Sequence, residues 1–246
     1  MKVLIATPTT QGSVATAYAH SLVAATATLQ EAGAAYRLLI VDGADVVLAR
    51  TILAHSFLAD PSLTHILFLD SDMGVEPAVL KRLIGLAAPI VGVAYSERRM
   101  DLSAFAAALG ETADVERARA LSSAFTVRMS AGRKEVKQGI VEADGFGFGC
   151  VLIARSLFEA MIARGAAKPM VSAKLRASGL KGEIYDFFRP IERADGDVLS
   201  EDYSFCERVR ALGDTPLLCY VGGGVSHVGQ FAFSAAFIER LKAGKG

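Results

Sequence analysis

Asp70 and Asp72 stand one residue apart at the end of the apolar run Ile66-Leu67-Phe68-Leu69. Such a run reads as a buried strand. Side chains two positions apart on a strand share a side, so both carboxylates are expected to leave its C-terminal end together. Like charges held that close repel unless a cation or a donor-rich ligand separates them. A hard divalent cation is the natural occupant. Its usual chemistry is to neutralise phosphate oxygens.

Other residues could join that chemistry. Glu201 and Asp202 open the segment Ser200–Leu212. A carboxylate there could take a proton from a hydroxyl, or it could complement the start of a helix behind a Ser N-cap. His227 follows an apolar strand and three glycines. Neutral imidazole suits Mn²⁺ better than Mg²⁺, although a lone histidine is as readily a surface or turn residue. Arg50 interrupts an apolar helix face and so needs a partner: a diphosphate or base, or the carboxylate of Asp70 or Asp42. Thr7, Pro8 and Thr9 end the first strand, where a nucleobase or ribose could lie, or they form an ordinary turn. Gly145-Phe146-Gly147-Phe148-Gly149 could bring backbone close to a sugar or turn between two strands. It lacks the order and position of a dinucleotide fingerprint.

Elements must hold these residues in place. Strands are expected over Lys2–Ala6, Tyr36–Val41, Ile66–Leu69 and Ile90–Ala94, alternating with helices over Ser13–Ala32, Val46–Leu58 and Pro77–Leu86. This alternation predicts an α/β fold with an open, mostly parallel sheet and helices on both faces. Ligands of such sheets bind beyond the carboxyl ends of the strands, where Thr7 to Gln11, Asp42-Gly43 and Asp70 to Asp72 all fall. Tyr95 to Lys137 gives no clear pattern. Beyond it, strands are expected over Gly139–Asp144, Val151–Ala154 and Pro216–Val221, and helices over Ser156–Ala163, Ser200–Leu212 and Phe231–Lys242. Gly165 to Asp197 reads as a long loop, rich in Lys, Arg and aromatics, that either covers an acceptor or packs its rings on the core. One domain spans 1–246, with a nucleotide-type half over 1–99 and a site-completing half over 100–246.

Composition narrows the field. The chain has 246 residues, 52% of them hydrophobic, enough for one sizeable core. Its formal net charge is zero, which gives no sign of a stable nucleic-acid partner. Cys150, Cys206 and Cys219 have neither zinc nor redox spacing. The N-terminus lacks the features of a signal peptide, so a cytoplasmic location is expected. The terminal helix with Phe231, Phe233 and Phe237 could make weak membrane contact, although core packing is the simpler use.

Asp70-Ser71-Asp72 after a buried strand resembles the DXD motif of GT-A fold glycosyltransferases. Companions follow in order. Leu48-Ala49-Arg50-Thr51 resembles the Ala-Arg-Asn element of bacterial and phage glycosyltransferase-like proteins, with Thr51 where those proteins often carry Asn. Ile90 to Tyr95, Gly145 to Arg155, Ser200-Glu201-Asp202 and Ser226-His227-Val228-Gly229 are similar to their later strand, glycine turn, Glu-Asp motif and late histidine segment. The resemblance covers about nine-tenths of the chain, while Met100 to Lys137 matches nothing. It implies a GT-A-like sheet and a metal-dependent glycosyltransferase. The donor implied is a nucleotide-diphosphate sugar, with UDP the expected nucleotide. The acceptor would be a hydroxyl of a glycan, lipid or other molecule. It implies Mn²⁺ or Mg²⁺ on Asp72 and His227, with Asp70 on the metal or the ribose. It implies Thr7, Pro8, Thr9, Arg50, Asp70, Ser71, Gly145, Phe146 and Gly147 around the donor, and Asp202, with Glu201 beside it, as catalytic base. Two alternatives remain. A nucleotidyl- or phosphosugar-transferase would need a basic glycine-rich loop, yet Thr7 to Gly12 holds no Lys or Arg. A non-catalytic sugar-nucleotide-binding protein is the other.

Overall fold

The computed structural model describes residues 1–43, 45–129, 138–177 and 179–229. The first half follows the expected alternation: β1 (Lys2–Thr9), α1 (Thr16–Glu31), β2 (Ala35–Asp42), α2 (Val46–Ala59) and β3 (His65–Leu69). Next come β4 (Met73–Val75), α3 (Pro77–Gly85) and β5 (Ile90–Val93). Two helices, α4 (Leu102–Glu111) and α5 (Val115–Ser122), fill the stretch that had no readable pattern. The signals there were local: Asp101 and Asp114 accept hydrogen bonds from the first backbone N–H groups of each helix, as good N-caps do.

The second half begins with β6 (Val127–Arg128), β7 (Ile140–Ala143), β8 (Gly145–Phe146) and β9 (Cys150–Ala154), followed by α6 (Arg155–Ala163). The expected long loop is instead organised by β10 (Pro169–Met170), α7 (Ala173–Ala177), β11 (Ile184–Tyr185), β12 (Ile191–Glu192) and β13 (Val198–Leu199). Its aromatics serve the core: Phe187 and Phe188 are buried, with Phe188 5.2 Å from Phe205 and Phe187 4.9 Å from Phe158 between ring centroids. Last are α8 (Glu201–Arg210), β14 (Leu217–Tyr220) and β15 (Val225–His227). The expected terminal helix lies outside the described residues, and no described helix is long and apolar enough to cross a membrane.

The main sheet has seven strands in the order β2-β1-β3-β9-β5-β14-β7. Pairings of β1 with β2 and β3, and of β14 with β5, are parallel. β9 runs opposed to both β3 and β5, and β7 is opposed to β14. Most strands therefore share one direction, as the sequence pattern predicts. The inserted β9 is the departure. Its uninterrupted apolar run, Cys150-Val151-Leu152-Ile153, fits a strand buried on both faces, but nothing local gives its direction.

Helices cover both faces. Leu4 and Ala6 of β1 face a core layer built with α2, α6 and α8, while Val3 and Ile5 face a layer built with α1 and α3. That alternation is the two-residue period of a strand. α1 also holds β4: Ser21 Oγ accepts the backbone N–H of Val75 at 2.7 Å. β4 in turn pairs antiparallel with β15, with His227 opposite Met73. This short ladder brings His227 beside Asp72.

Candidate active site

β3 ends at Leu69, so Asp70 to Asp72 lie beyond it in a turn, closed by a 3.1 Å bond from Met73 N–H to the Asp70 carbonyl. The two-residue alternation stops there. The carboxylate of Asp70 is engaged inside the protein. Its oxygens are taken by Arg50, with Nη1 to Oδ1 at 3.1 Å and Nη2 to Oδ2 at 3.0 Å. Of the partners open to Arg50, the structure selects Asp70, and this paired fork is the strong geometry for a guanidinium and a carboxylate.

Arg50 is 2% exposed, so its charge must be matched inside the protein. Its Nε lies 3.5 Å from Glu201 Oε1 and 3.4 Å from Asp202 Oδ1. Its guanidinium carbon is 5.5 Å from the centre of the Phe68 ring and 5.6 Å from that of Phe148. Burial opposes its positive charge, but Asp70, Asp202 and Glu201 outweigh that effect and raise its pKa. One cation thus faces three carboxylates. Burial raises the pKa of Asp70 despite Arg50. Burial also pushes Asp202 up to about 8, with Glu201 and Asp70 adding to the shift and Arg50 opposing it.

Glu201 and Asp202 sit in the first turn of α8, and Ser200 makes no side-chain cap there. Asp202 Oδ2 instead accepts the backbone N–H of Phe148 at 3.0 Å. Its Oδ1 is buried and accepts no hydrogen bond among the described residues. Asp202 thus has one oxygen anchored by a backbone N–H and the other facing the Arg50 Nε, 3.4 Å away.

Asp72 lies on the other side of the turn. Burial opposes its charge, but His227 and Arg98 outweigh burial and lower its pKa. Arg98 Nη1 donates to Asp72 Oδ2 at 3.0 Å, and the same oxygen is 3.3 Å from His227 Nε2. His227 Nδ1 is 3.1 Å from the carbonyl of Ser96. A carbonyl only accepts, so Nδ1 carries the hydrogen and Nε2 is the nitrogen turned to Asp72. In the neutral ring, two acceptors then face each other. A proton or a metal cation reconciles them, and a histidine pinned through its far nitrogen is the usual arrangement of a metal ligand. Asp72 and His227 are the two side chains whose acceptor atoms meet at this point. Among the described residues no larger cluster of acidic, His and Cys side chains gathers there.

The glycine turn does not offer open backbone to a sugar. A Cβ on Gly145 would lie 2.8 Å from the Tyr203 ring, and one on Gly149 2.8 Å from Tyr95 and from the Met73 sulfur. Phe146 is fully buried, and a Cβ on Gly147 would also meet Tyr95. The glycines of this run admit the protein's own side chains. Thr7, Pro8 and Thr9 belong to β1 itself and are buried. Thr7 Oγ1 lies 2.7 Å from the Tyr18 hydroxyl, and Thr9 donates to Asp42 at 3.0 Å. Both threonine side chains are thus engaged inside the protein. Ser71 is half-buried, and its carbonyl accepts the Ala15 N–H at 2.8 Å.

Tyr95, Ser96 and Arg98 were not singled out from sequence. Their signal was position: the polar run Ser96-Glu97-Arg98-Arg99 is separated by two residues from the buried strand β5, on the binding edge of the sheet. Tyr95 links the two carboxylate groups. Its hydroxyl accepts the Gly149 N–H at 3.1 Å, and its ring meets His227 edge-on at 5.1 Å between centroids. The carbonyl of Gly149 accepts the Asp70 N–H at 2.9 Å. Replacing Tyr95 by Phe is expected to cost about 1–2 kcal/mol, because the buried Gly149 N–H loses its acceptor. Urea unfolding checks this, and an unchanged midpoint would show the N–H bonded elsewhere.

No family model matches the sequence. No curated protein matches it either. Solved structures similar to this chain include A197 from STIV, at 17% identity over 94% of this chain and 87% of that one, with a TM-score of 0.47. A mutant of Drosophila β-1,4-galactosyltransferase 7, solved with manganese, UDP-Gal and xylobiose, is similar at 11% identity over 94% of this chain and 72% of that one, with a TM-score of 0.42. A glycosyltransferase involved in glycosylation of the major capsid of PBCV-1 is similar at 11% identity over 67% of this chain and 64% of that one, with a TM-score of 0.32. The solved structures that this chain resembles thus include glycosyltransferases, at identities and scores too low to carry its chemistry.

Proposed function

We propose that the chain is a metal-dependent glycosyltransferase that moves a sugar from a nucleotide-diphosphate donor, a UDP-sugar, to an acceptor hydroxyl. The observation that carries this reading is the facing pair of His227 Nε2 and Asp72 Oδ2, 3.3 Å apart, with the imidazole oriented by Ser96. Asp72 and His227 would hold Mn²⁺, or Mg²⁺ with lower preference. A cation held there would supply positive charge where a departing diphosphate gains negative charge. The Asp202 carboxylate is the group that would accept the proton of the acceptor hydroxyl, with the Phe148 N–H keeping it aligned. Arg50 keeps Asp70, Glu201 and Asp202 from repelling one another. In this reading residues 1–99 form the nucleotide half of one domain and 100–246 the acceptor half.

One observation favours the reading as a non-catalytic binding protein. Arg50 and Arg98 already balance Asp70 and Asp72 with the protein's own charges. Incubation of UDP-sugars with and without Mn²⁺ separates the two, since only the enzyme hydrolyses or transfers the donor. A thermal-shift screen of sugar nucleotides with Mn²⁺ identifies the donor, because a ligand that binds only the native state raises apparent stability.

Replacing Asp72 by Asn is expected to weaken Mn²⁺-dependent UDP binding by roughly 100-fold or more, with the fold kept, since a metal ligand is lost. Calorimetry with matched circular dichroism checks this. Binding like that of the wild type would remove Asp72 as a ligand.

A further inference from the structure

Arg98 holds Asp72 Oδ2, the oxygen that also faces His227. Its stem rests on Gly229, where a Cβ would come within 3.0 Å of the Arg98 side chain. Its side chain is nevertheless 54% exposed. It borders a cavity of about 920 Å³ that Arg99, Arg119, Phe125 and His227 also line. The other two arginines have acidic partners of their own: Arg99 pairs with Glu97, and Arg119 with Glu116 at 3.0 Å. Among the described residues, Arg98 is the arginine of this cavity whose partner is a candidate metal ligand.

We propose that Arg98 is an exchangeable cation. It neutralises Asp72 until a divalent cation takes Oδ2, then turns its guanidinium to an anionic oxygen of a diphosphate-bearing ligand at the cavity rim. The proposal rests on the metal-dependent reading above. A guanidinium and a dication on one carboxylate oxygen would stand side by side and repel. Arg98 can yield, because its stem stays on Gly229 while its exposed head is re-aimed. Cation and anionic ligand then bind with positive coupling, and the coupling is reciprocal.

Calorimetric titration of Mn²⁺, and then of UDP at saturating Mn²⁺, into wild type, Arg98→Gln and Arg99→Gln tests this. Arg99→Gln removes the same charge from the same cavity but leaves Asp72 untouched. Arg98→Gln is expected to bind Mn²⁺ roughly three- to fivefold more tightly, since no ion pair has to be broken. Mn²⁺-loaded Arg98→Gln is expected to bind UDP roughly tenfold more weakly, having lost a charged hydrogen bond. Arg99→Gln should change each affinity by less than about twofold. Equal shifts in both variants would reduce the effect to general electrostatics and overturn the exchange. Unchanged Mn²⁺ or UDP affinity in Arg98→Gln would also overturn it, with the metal site intact. No Mn²⁺ uptake by any of the three proteins would bring down the metal-dependent reading and the exchange together.

Discussion

Replacing Arg50 by Leu is expected to destabilise the protein by about 3–5 kcal/mol, the cost of leaving buried charge unpaired. The leucine keeps the apolar contacts with Phe68 and Phe148, so the loss reports on charge. Without the guanidinium, Asp70, Glu201 and Asp202 face one another with no cation between them. Tm should fall by roughly 10 °C for a chain of this size. The loss should depend on pH. Burial already raises the pKa values of Asp70 and Asp202 in the native protein, and Arg50 is the group that lowers them. Removing it raises both further. A carboxyl with a raised native pKa gives its full stability below the unfolded value of 3.8 and loses it as pH rises through the native one. The variant should therefore lie closest to wild type near pH 5 and farthest from it near pH 8. Urea unfolding at both pH values checks this. An equal loss at each would mean that Arg50 contributes packing and not charge balance.

Replacing Asp202 by Asn should lower turnover by roughly 10²–10⁴-fold, the usual contribution of a general base, while Mn²⁺-dependent donor affinity changes little. The amide oxygen can still accept the Phe148 N–H, so the local backbone keeps its support. A base must be unprotonated to act. With Asp202 pushed up to about 8, wild-type kcat/KM should rise about tenfold per pH unit from pH 6 toward 8 and then level off. The residual activity of the variant should lack that rise. Parallel pH–rate profiles would remove Asp202 as the base, and unchanged turnover would do the same.

The fold was legible where the signals were local and repeated. Apolar runs and helix boundaries gave the β1 to β5 alternation to within a few residues, apart from the three-residue β4, because each run carries its own period and its own breaker. The α4–α5 pair escaped notice, although Asp101 and Asp114 mark both helix starts. Its helices bury little beyond Ala108 and Ala118, so no clear apolar stripe marks them. The direction and place of β9 were also out of reach. A strand apolar on both faces carries no sign of which neighbours it will pair with.

Most residues of the candidate site were visible in the sequence, though not Tyr95, Ser96 or Arg98, and the choice among the partners open to Arg50 was not. Asp70 and Asp72 were rightly read as a charged pair at the end of a buried strand. The charge that balances Asp70 comes from Arg50, twenty positions upstream, and Arg98 balances Asp72. The glycine run had two readings, room for a sugar or a turn between strands, because a missing Cβ does not say what fills its place; Tyr95 and Tyr203 fill it here.

By itself, then, the sequence determined the seven strands from which the main sheet is built, that this sheet is mostly parallel, and which polar residues stand at its carboxyl edge. Tertiary structure alone decided that β9 separates β3 from β5, that β15 pairs with β4 to set His227 beside Asp72, and that Asp202 is anchored by Phe148. The physical reason is range. Backbone propensity and hydrophobic period act over a few residues, whereas charge pairing and strand register are settled between segments far apart in the chain that meet only when the core closes.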